Sequence, residues 1–155
     1  MLMIYIFVMI AIFTGELFLK NKIEKTRSLH DVTKLAGGKI MISKYHNTGA
    51  CLNLGHKKQK FVAFISVLFT ILMIAVFIFT LTTKGNTAMK LGLACLLGGA
   101  FSNTYDRLKR KYVVDYVSFD TPFKKLNSII FNISDFLIAI GAAVTAIAVI
   151  ANPNI

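Results

Sequence analysis

Two aspartates lie among apolar neighbours, where a carboxylate is poorly solvated. Asp135 is the one acid in the apolar stretch 129–150, and Asp115 lies in an apolar, aromatic and β-branched stretch, residues 112–119. An ionisable group inside a membrane span is costly and marks a functional site, unless a basic residue of another helix pairs with it. Two carboxylates that meet at a low-dielectric boundary share a proton, so that one activates water while the other acts as an acid. The pair therefore predicts aspartic-peptidase chemistry.

The elements that position these acids are predicted to be membrane spans. The chain has 155 residues, of which 55% are hydrophobic, and its apolar residues fall in long blocks. Such blocks, about 20 residues long, are typical of transmembrane helices. The first block is interpreted as a retained anchor, because it has neither a basic start nor a cleavage pattern. We expect an all-α integral membrane protein, a single domain over residues 1–155, with four spans at about 1–19, 61–83, 88–105 and 129–150.

The polar segments between the spans form two large loops. Residues 39–54 alternate between apolar and polar side chains after a turn signal at Gly37 and Gly38, which predicts a short hairpin in the first loop. The second large loop covers residues 103–128, and residues 84–87 form a tight turn. With four spans, both large loops lie on one side of the membrane and both termini on the other.

The net charge of +11 favours contact with anionic lipid headgroups, since the sequence has no nucleic-acid-binding module. Ten basic residues lie within residues 20–60 and six within 107–125, whereas the short turn side has Lys84 and Lys90. The positive-inside rule therefore predicts that both large loops are cytoplasmic.

Four short blocks carry a family resemblance. They are residues 47–50 (Asn-Thr-Gly-Ala), 98–107 (Gly-Gly-Ala-Phe-Ser-Asn-Thr-Tyr-Asp-Arg), 113–116 (Val-Val-Asp-Tyr) and 131–135 (Phe-Asn-Ile-Ser-Asp). In this order they closely resemble the blocks of lipoprotein signal peptidases (signal peptidase II). The resemblance implies an aspartic endopeptidase that removes the signal peptide of a diacylglyceryl-modified prolipoprotein by cleaving before the lipidated Cys. It also implies no metal or organic cofactor, inhibition by globomycin-like compounds, and a monomer in the bacterial cytoplasmic membrane.

The resemblance assigns roles position by position. It makes Asp115 and Asp135 catalytic, with substrate contacts from Asn47, Gly49, Asn103, Arg107 and Asn132 and support from Glu16, Lys20, Gly98, Gly99 and Asp106. Arg107 could instead be an interfacial anchor or a partner of Asp106. For Gly98 and Gly99, close helix approach is the favoured role.

The sequence departs from the family pattern at several positions. Glu16 stands where the family usually has Asp, and Ser134 stands where Ala normally precedes the second aspartate; we expect the Ser134 hydroxyl to bond back to a helix carbonyl. Cys51 and Leu52 replace the usual residues after the first block. A metal site at His46, Cys51 and His56 is discounted, because their spacing does not match zinc ligand pairs.

Two other functions stay open. A proton-coupled carrier could use Asp115 and Asp135 as a relay, and a catalytically silent paralogue could regulate other membrane proteins. The family resemblance also places the aspartates toward the extracytoplasmic face and both termini in the cytoplasm, against the charge rule. We follow the resemblance, because loop charge is a statistical signal.

Overall fold

The computed structural model describes residues 2–29, 31–50, 55–83 and 85–151. Within these ranges the secondary structure follows one order along the chain: α1 (Leu2–Thr26), β1 (Thr33–Leu35), β2 (Ile40–Asn47), α2 (Gln59–Thr82), α3 (Thr87–Lys109), β3 (Val113–Phe119), α4 (Lys124–Asn127) and α5 (Ile133–Ala151). Cys51, Leu52 and the rest of residues 51–54 lie outside the described residues, as does Lys84 of the predicted turn.

Within the described part of the chain, three helices, α1, α2 and α5, are long and apolar enough to cross a membrane. They coincide with three of the four predicted spans, although α1 extends to Thr26, well past the predicted end near residue 19. Helix α3 has 23 residues but includes Lys90 and a polar C-terminal half, so its sequence is much less apolar than the others. Three spans are thus supported by length and composition, and the crossing of α3 stays a prediction.

Helix α3 is the centre of the bundle, and α1, α2 and α5 pack around it. Two adjacent glycines allow two of these contacts. A Cβ added at Gly98 would lie 2.8 Å from Cβ of Ile12 in α1, and one added at Gly99 would lie 2.7 Å from the backbone oxygen of Ser134 in α5. Both distances are too short for a real side chain. The expected role of these glycines in close helix approach agrees with this geometry, which brings the start of α5 against α3.

The predicted hairpin within residues 39–54 is wrong in its pairing. Among the described residues of this segment, 39–50, there is one strand, β2, and it lies between β1 and β3 with antiparallel pairing on both sides. Strand β3 comes from the second large loop, so the β element joins both loops. Its sequence, Val-Val-Asp-Tyr-Val-Ser-Phe, is rich in β-branched and aromatic residues, which favour strands. Local alternation in β2 identified a strand but not its distant partner.

Helix α5 begins at Ile133, four residues later than the predicted span. The delay occurs because the backbone of Phe131 pairs with β3: its oxygen accepts from Tyr116 N and Val117 N, both at 2.8 Å, and its nitrogen donates to Val117 O at 2.7 Å. This bridge fixes the first turn of α5 beside the strand that carries Asp115.

Candidate active site

Asp115 lies on β3 with its side chain almost fully buried at 2% exposure. Both carboxylate oxygens accept hydrogen bonds from asparagine side chains. Nδ2 of Asn132 donates to Oδ1 at 2.6 Å, and Nδ2 of Asn47 donates to Oδ2 at 2.9 Å. Asn47 is at the end of β2, close to the position where Tyr45 pairs with Asp115. The sheet register therefore places the block 47–50 against the first aspartate.

Asp135 lies in the first turn of α5 and takes part in the cap of that helix. The side-chain oxygen of Asn132 accepts from Asp135 N at 3.0 Å, while Oδ2 of Asp135 accepts from Asn132 N at 3.0 Å. This reciprocal pair is a capping box, in which residues three apart satisfy free N–H groups at a helix start. The cap holds the Asp135 carboxylate in one orientation.

Asn132 consequently contacts both aspartates. Its oxygen and backbone nitrogen form the capping box with Asp135, and its amide nitrogen is left to donate to Asp115. Because an amide has one acceptor end and one donor end, the cap decides which end faces Asp115. A single side chain, itself inaccessible to solvent, thus joins the strand and the helix that carry the two acids.

A second asparagine connects Asp135 to a buried lysine. Oδ1 of Asn103 accepts from Nζ of Lys20 at 2.8 Å, and Nδ2 of Asn103 donates to Oδ1 of Asp135 at 2.9 Å. Lysine can only donate, so it fixes the amide with its donor end toward Asp135. All four carboxylate oxygens of the pair therefore accept an N–H group.

Lys20 is fully buried and has several partners, as a buried charge requires. Its Nζ lies 3.0 Å from Oδ2 of Asp106 and 3.8 Å from Oε2 of Glu16, and it donates to Oγ of Ser102 at 2.9 Å. Asp106 is also paired with Nε of Arg110 at 2.7 Å. Arg107, the alternative partner of Asp106, instead donates its hydrogen bonds to the backbone oxygens of Asn103 and Gly49.

Arg107 holds the segment that follows β2. Its NH2 group donates to the backbone oxygen of Gly49 at 3.1 Å, and NH1 donates to the backbone oxygen of Asn103 at 3.4 Å. Within that segment, Oδ1 of Asn47 accepts from Gly49 N at 3.0 Å. The guanidinium therefore lies between the first sequence block and the second, next to the aspartates.

Glu16 contacts the residue next to each aspartate. Oε1 accepts from the hydroxyl of Tyr116 at 2.5 Å, and Oε2 accepts from N and Oγ of Ser134 at 3.1 and 2.8 Å. The expectation that the Ser134 hydroxyl bonds to a helix carbonyl is wrong, since a nearby carboxylate is the stronger acceptor. Two departures from the family pattern, at positions 16 and 134, thus contact each other.

The environment of Asp115 changes its acidity. Burial and the nearby charge of Asp135 raise the pKa of Asp115 to about 7, although the hydrogen bonds from Asn47 and Asn132 act in the opposite direction. Burial disfavours the charged form of a carboxyl, and a second carboxylate disfavours it further. Asp115 is therefore partly protonated at neutral pH.

The aspartates lie at the end of an apolar cavity of about 640 Å³. Its walls come from α2 on one side and α5 on the other, and α3 forms its floor. Described residues of α2 and α5 scarcely contact each other, so a groove separates the two helices. The apolar lining includes Ile65, Phe69, Phe136, Ile138 and Ala139, and the polar lining includes Asn47, Asn103, Arg107, Asp115 and Asp135. The cavity is therefore an apolar groove whose polar groups include the two acids.

Comparison with known proteins identifies the family. A family model described as signal peptidase (SPase) II matches residues 5–151. The chain belongs to the signal peptidase II family. A lipoprotein signal peptidase of Lactobacillus johnsonii is 30% identical over 138 residues, which cover 89% of this chain and 86% of the relative. One of Staphylococcus carnosus is 28% identical over 147 residues, covering 95% and 90% of the two chains.

Solved structures agree with the fold. A bacterial membrane enzyme determined by the in meso method at 2.3 Å resolution superimposes with a TM-score of 0.82 and 21% identity, covering 97% of this chain and 89% of the other. A second, at 1.9 Å, gives a TM-score of 0.78 at 22% identity, covering 96% and 93%. Membership of the signal peptidase II family makes this chain a bacterial membrane protease of lipoprotein processing.

The signal peptidase II fold brings most of the residues predicted to form the site together. Asn47, Gly49, Asn103, Arg107 and Asn132 surround the aspartates, and Glu16, Lys20 and Asp106 lie behind them. Gly98 and Gly99 are at helix contacts instead. Tyr116 was missed as a functional candidate. It follows Asp115 directly, but consecutive residues of a strand point to opposite faces, so its position gave no reason to place it near the site.

Proposed function

We propose that this member of the signal peptidase II family is an aspartic endopeptidase that cleaves diacylglyceryl-modified prolipoproteins immediately before the lipidated Cys, with Asp115 and Asp135 as the catalytic pair. The proposal rests on one observation. Asn132 donates hydrogen bonds to the carboxylates of both Asp115 and Asp135, at the polar end of an apolar groove. A carrier would need a path across the membrane, whereas this groove ends at the acids.

The substrate's signal helix enters sideways between α2 and α5, because the groove between these helices is apolar. Its lipid-linked Cys then lies near Arg107 and Asn103. Arg107 supplies donors for ester or carbonyl oxygens, since its planar fork holds several N–H groups. Gly49, whose oxygen Arg107 already binds, and Asn47 lie over the scissile bond.

The two acids have different parts in this mechanism. Asp115 is the protonated member, since its pKa is raised to about 7 by burial and by Asp135. Asp135 is the charged member, and Lys20 supports it through Asn103. Asp135 removes a proton from water, whose oxygen bonds to the scissile carbonyl carbon, while Asp115 donates its proton to the carbonyl oxygen. When the tetrahedral intermediate collapses, the C–N bond breaks, the proton on Asp135 moves to the leaving amine, and one hydroxyl proton of the intermediate returns to Asp115.

We place the active site toward the extracytoplasmic face, with both termini in the cytoplasm and α3 as the fourth span. The buried polar C-terminal half of α3 ends among the site residues, at the end of the bundle where the sheet lies. An extracytoplasmic signal from a reporter fused after Ile155 would contradict this orientation.

Cleavage of a lipidated substrate tests the proposal directly. Purified protein in detergent is incubated with a diacylglyceryl-modified prolipoprotein and, as a matched substrate, with the same prolipoprotein carrying Ser in place of the lipidated Cys. We expect a product that begins at the modified Cys from the first substrate only, and inhibition by globomycin. An intact lipidated substrate would favour the silent-paralogue alternative.

The pH dependence of cleavage is expected to report Asp115. Because Asp115 must be protonated to donate, kcat is highest below its pKa of about 7 and falls as the pH rises through that value. Asn47→Ala removes a hydrogen bond to the charged form of Asp115, so it raises the pKa of Asp115 and is expected to move the decrease in kcat, the alkaline limb of the pH profile, to higher pH. The measurement is kcat from pH 5 to 9; a flat profile across neutral pH would contradict the assignment.

A further inference from the structure

We propose that Glu16 is a positioning residue that sets the separation of the two aspartates by holding the residue adjacent to each one. This inference rests on the proposed function, in which Asp115 and Asp135 act as a pair. Glu16 itself touches neither aspartate nor the groove.

The contacts of Glu16 reach both catalytic elements from a third. Tyr116 follows Asp115 on β3, and its hydroxyl donates to Oε1 at 2.5 Å. Ser134 precedes Asp135 on α5, and its N and Oγ donate to Oε2 at 3.1 and 2.8 Å. One carboxylate on α1 therefore spans the gap between the strand and the helix that carry the acids.

The arrangement is buried and closed, so it can act as a rigid spacer. Glu16 is 2% exposed, Tyr116 4% and Ser134 0%. The Tyr116 hydroxyl also accepts from Ile133 N at 3.3 Å, which joins β3 to the first residue of α5. Lys20 lies 3.8 Å from Oε2 and balances the charge. Buried hydrogen bonds to a charged acceptor are stronger than those between neutral groups, and they hold the bonded groups in a defined geometry.

The separation of the acids matters because each affects the other. The charge of Asp135 contributes to the raised pKa of Asp115. If the strand and helix move apart, water enters and the mutual repulsion falls, so the pKa of Asp115 decreases. Small displacements of catalytic groups also reduce rate steeply, by as much as ~10²-fold for about 1 Å. A loosened spacer should therefore change both kcat and the pH limb, and leave substrate binding intact.

The test compares four variants with the wild type: Glu16→Gln, Ser134→Ala, Tyr116→Phe and, as a matched control, Glu24→Gln. Glu24 is also on α1 and also contacts the sheet, through Nε2 of His46 at 2.7 Å from Oε1, but it touches no neighbour of an aspartate. We expect Glu16→Gln to lower kcat by about tenfold with KM unchanged, and to move the limb near pH 7 to lower pH by at least ~0.5 unit. Glu24→Gln should leave kcat and the pH of this limb unchanged.

A double-variant cycle distinguishes a spacer from ordinary structural support. Ser134→Ala is expected to lower kcat by itself and to have little further effect in the Glu16→Gln background, because its hydroxyl acts through Glu16. Tyr116→Phe gives the same comparison for the hydrogen bond between the Tyr116 hydroxyl and Glu16. If Glu16→Gln unfolds, Ser134→Ala and Tyr116→Phe still test the inference. Additive losses, or a pH limb that none of the three variants moves, would overturn the inference. A wild type that leaves the lipidated substrate whole would instead refute the proposed function.

Discussion

Asp115→Asn and Asp135→Asn are each expected to reduce cleavage by ~10²–10⁴-fold, the usual contribution of a general acid or base. An amide can neither remove a proton from water nor deliver one to the leaving amine. Asn has nearly the same shape as Asp, but its NH2 group faces one of the N–H donors that the replaced oxygen accepted from, so each variant loses one hydrogen bond of the site. The measurement is the single-turnover rate on the lipidated prolipoprotein.

The same two variants should change stability little, because two effects oppose each other. The lost hydrogen bond destabilises each variant, whereas the removal of one of the two buried acids relieves the burial and repulsion that raise the pKa of Asp115. We expect midpoints of thermal unfolding in detergent close to that of the wild type. Asp120→Asn is the matched control, because Asp120 is exposed just beyond β3; it should retain full activity. Cleavage by either dyad variant at the wild-type rate would refute the mechanism.

Asn132→Ser is expected to remove most activity while preserving the fold. The Ser hydroxyl can replace the capping oxygen that accepts from Asp135 N, but it has no amide to donate to Asp115 at the observed 2.6 Å. Asp115 then loses one of its two side-chain donors and its fixed position relative to Asp135. We expect cleavage to fall by ~10²-fold, as for other small displacements of catalytic groups.

A comparison of two substitutions separates the two roles of Asn132. Asn132→Ala removes the cap as well, which typically costs about 1 kcal/mol, so it should lower the unfolding midpoint as well as activity. Asn132→Ser should lower activity alone. Asn127→Ser is the control, because Asn127 binds Thr121 and Asp120 away from the groove. If Asn132→Ser cleaves as fast as the wild type, then the bridge between the aspartates is not needed.

Sequence alone was sufficient for features that depend on local composition. Uninterrupted apolar runs identify α1, α2 and α5, since about 20 apolar residues suffice to cross a bilayer whatever their neighbours are. The cost of an acid among apolar residues likewise selected Asp115 and Asp135. Four ordered blocks then predicted the signal peptidase II family, which the comparisons confirm.

Features that join distant residues required the tertiary structure. Strand β2 pairs with β1, just before it, and with β3, about seventy positions later, whereas alternation within residues 39–54 suggested a partner inside that segment. The start of α5 was predicted too early, because the backbone of Phe131 pairs with β3 instead of continuing the helix. Hydropathy carries no information about either choice.

The same division holds within the site. The sequence nominated the two aspartates, because an acid in an apolar stretch can be recognised locally, whereas the asparagines were nominated by the family resemblance. Only the fold decided that Asn132 joins the two acids and that Glu16 reaches Ser134, 118 positions away. Hydrogen bonds of buried side chains depend on which ends of amides and carboxylates face each other, and packing of four helices and a sheet sets those directions.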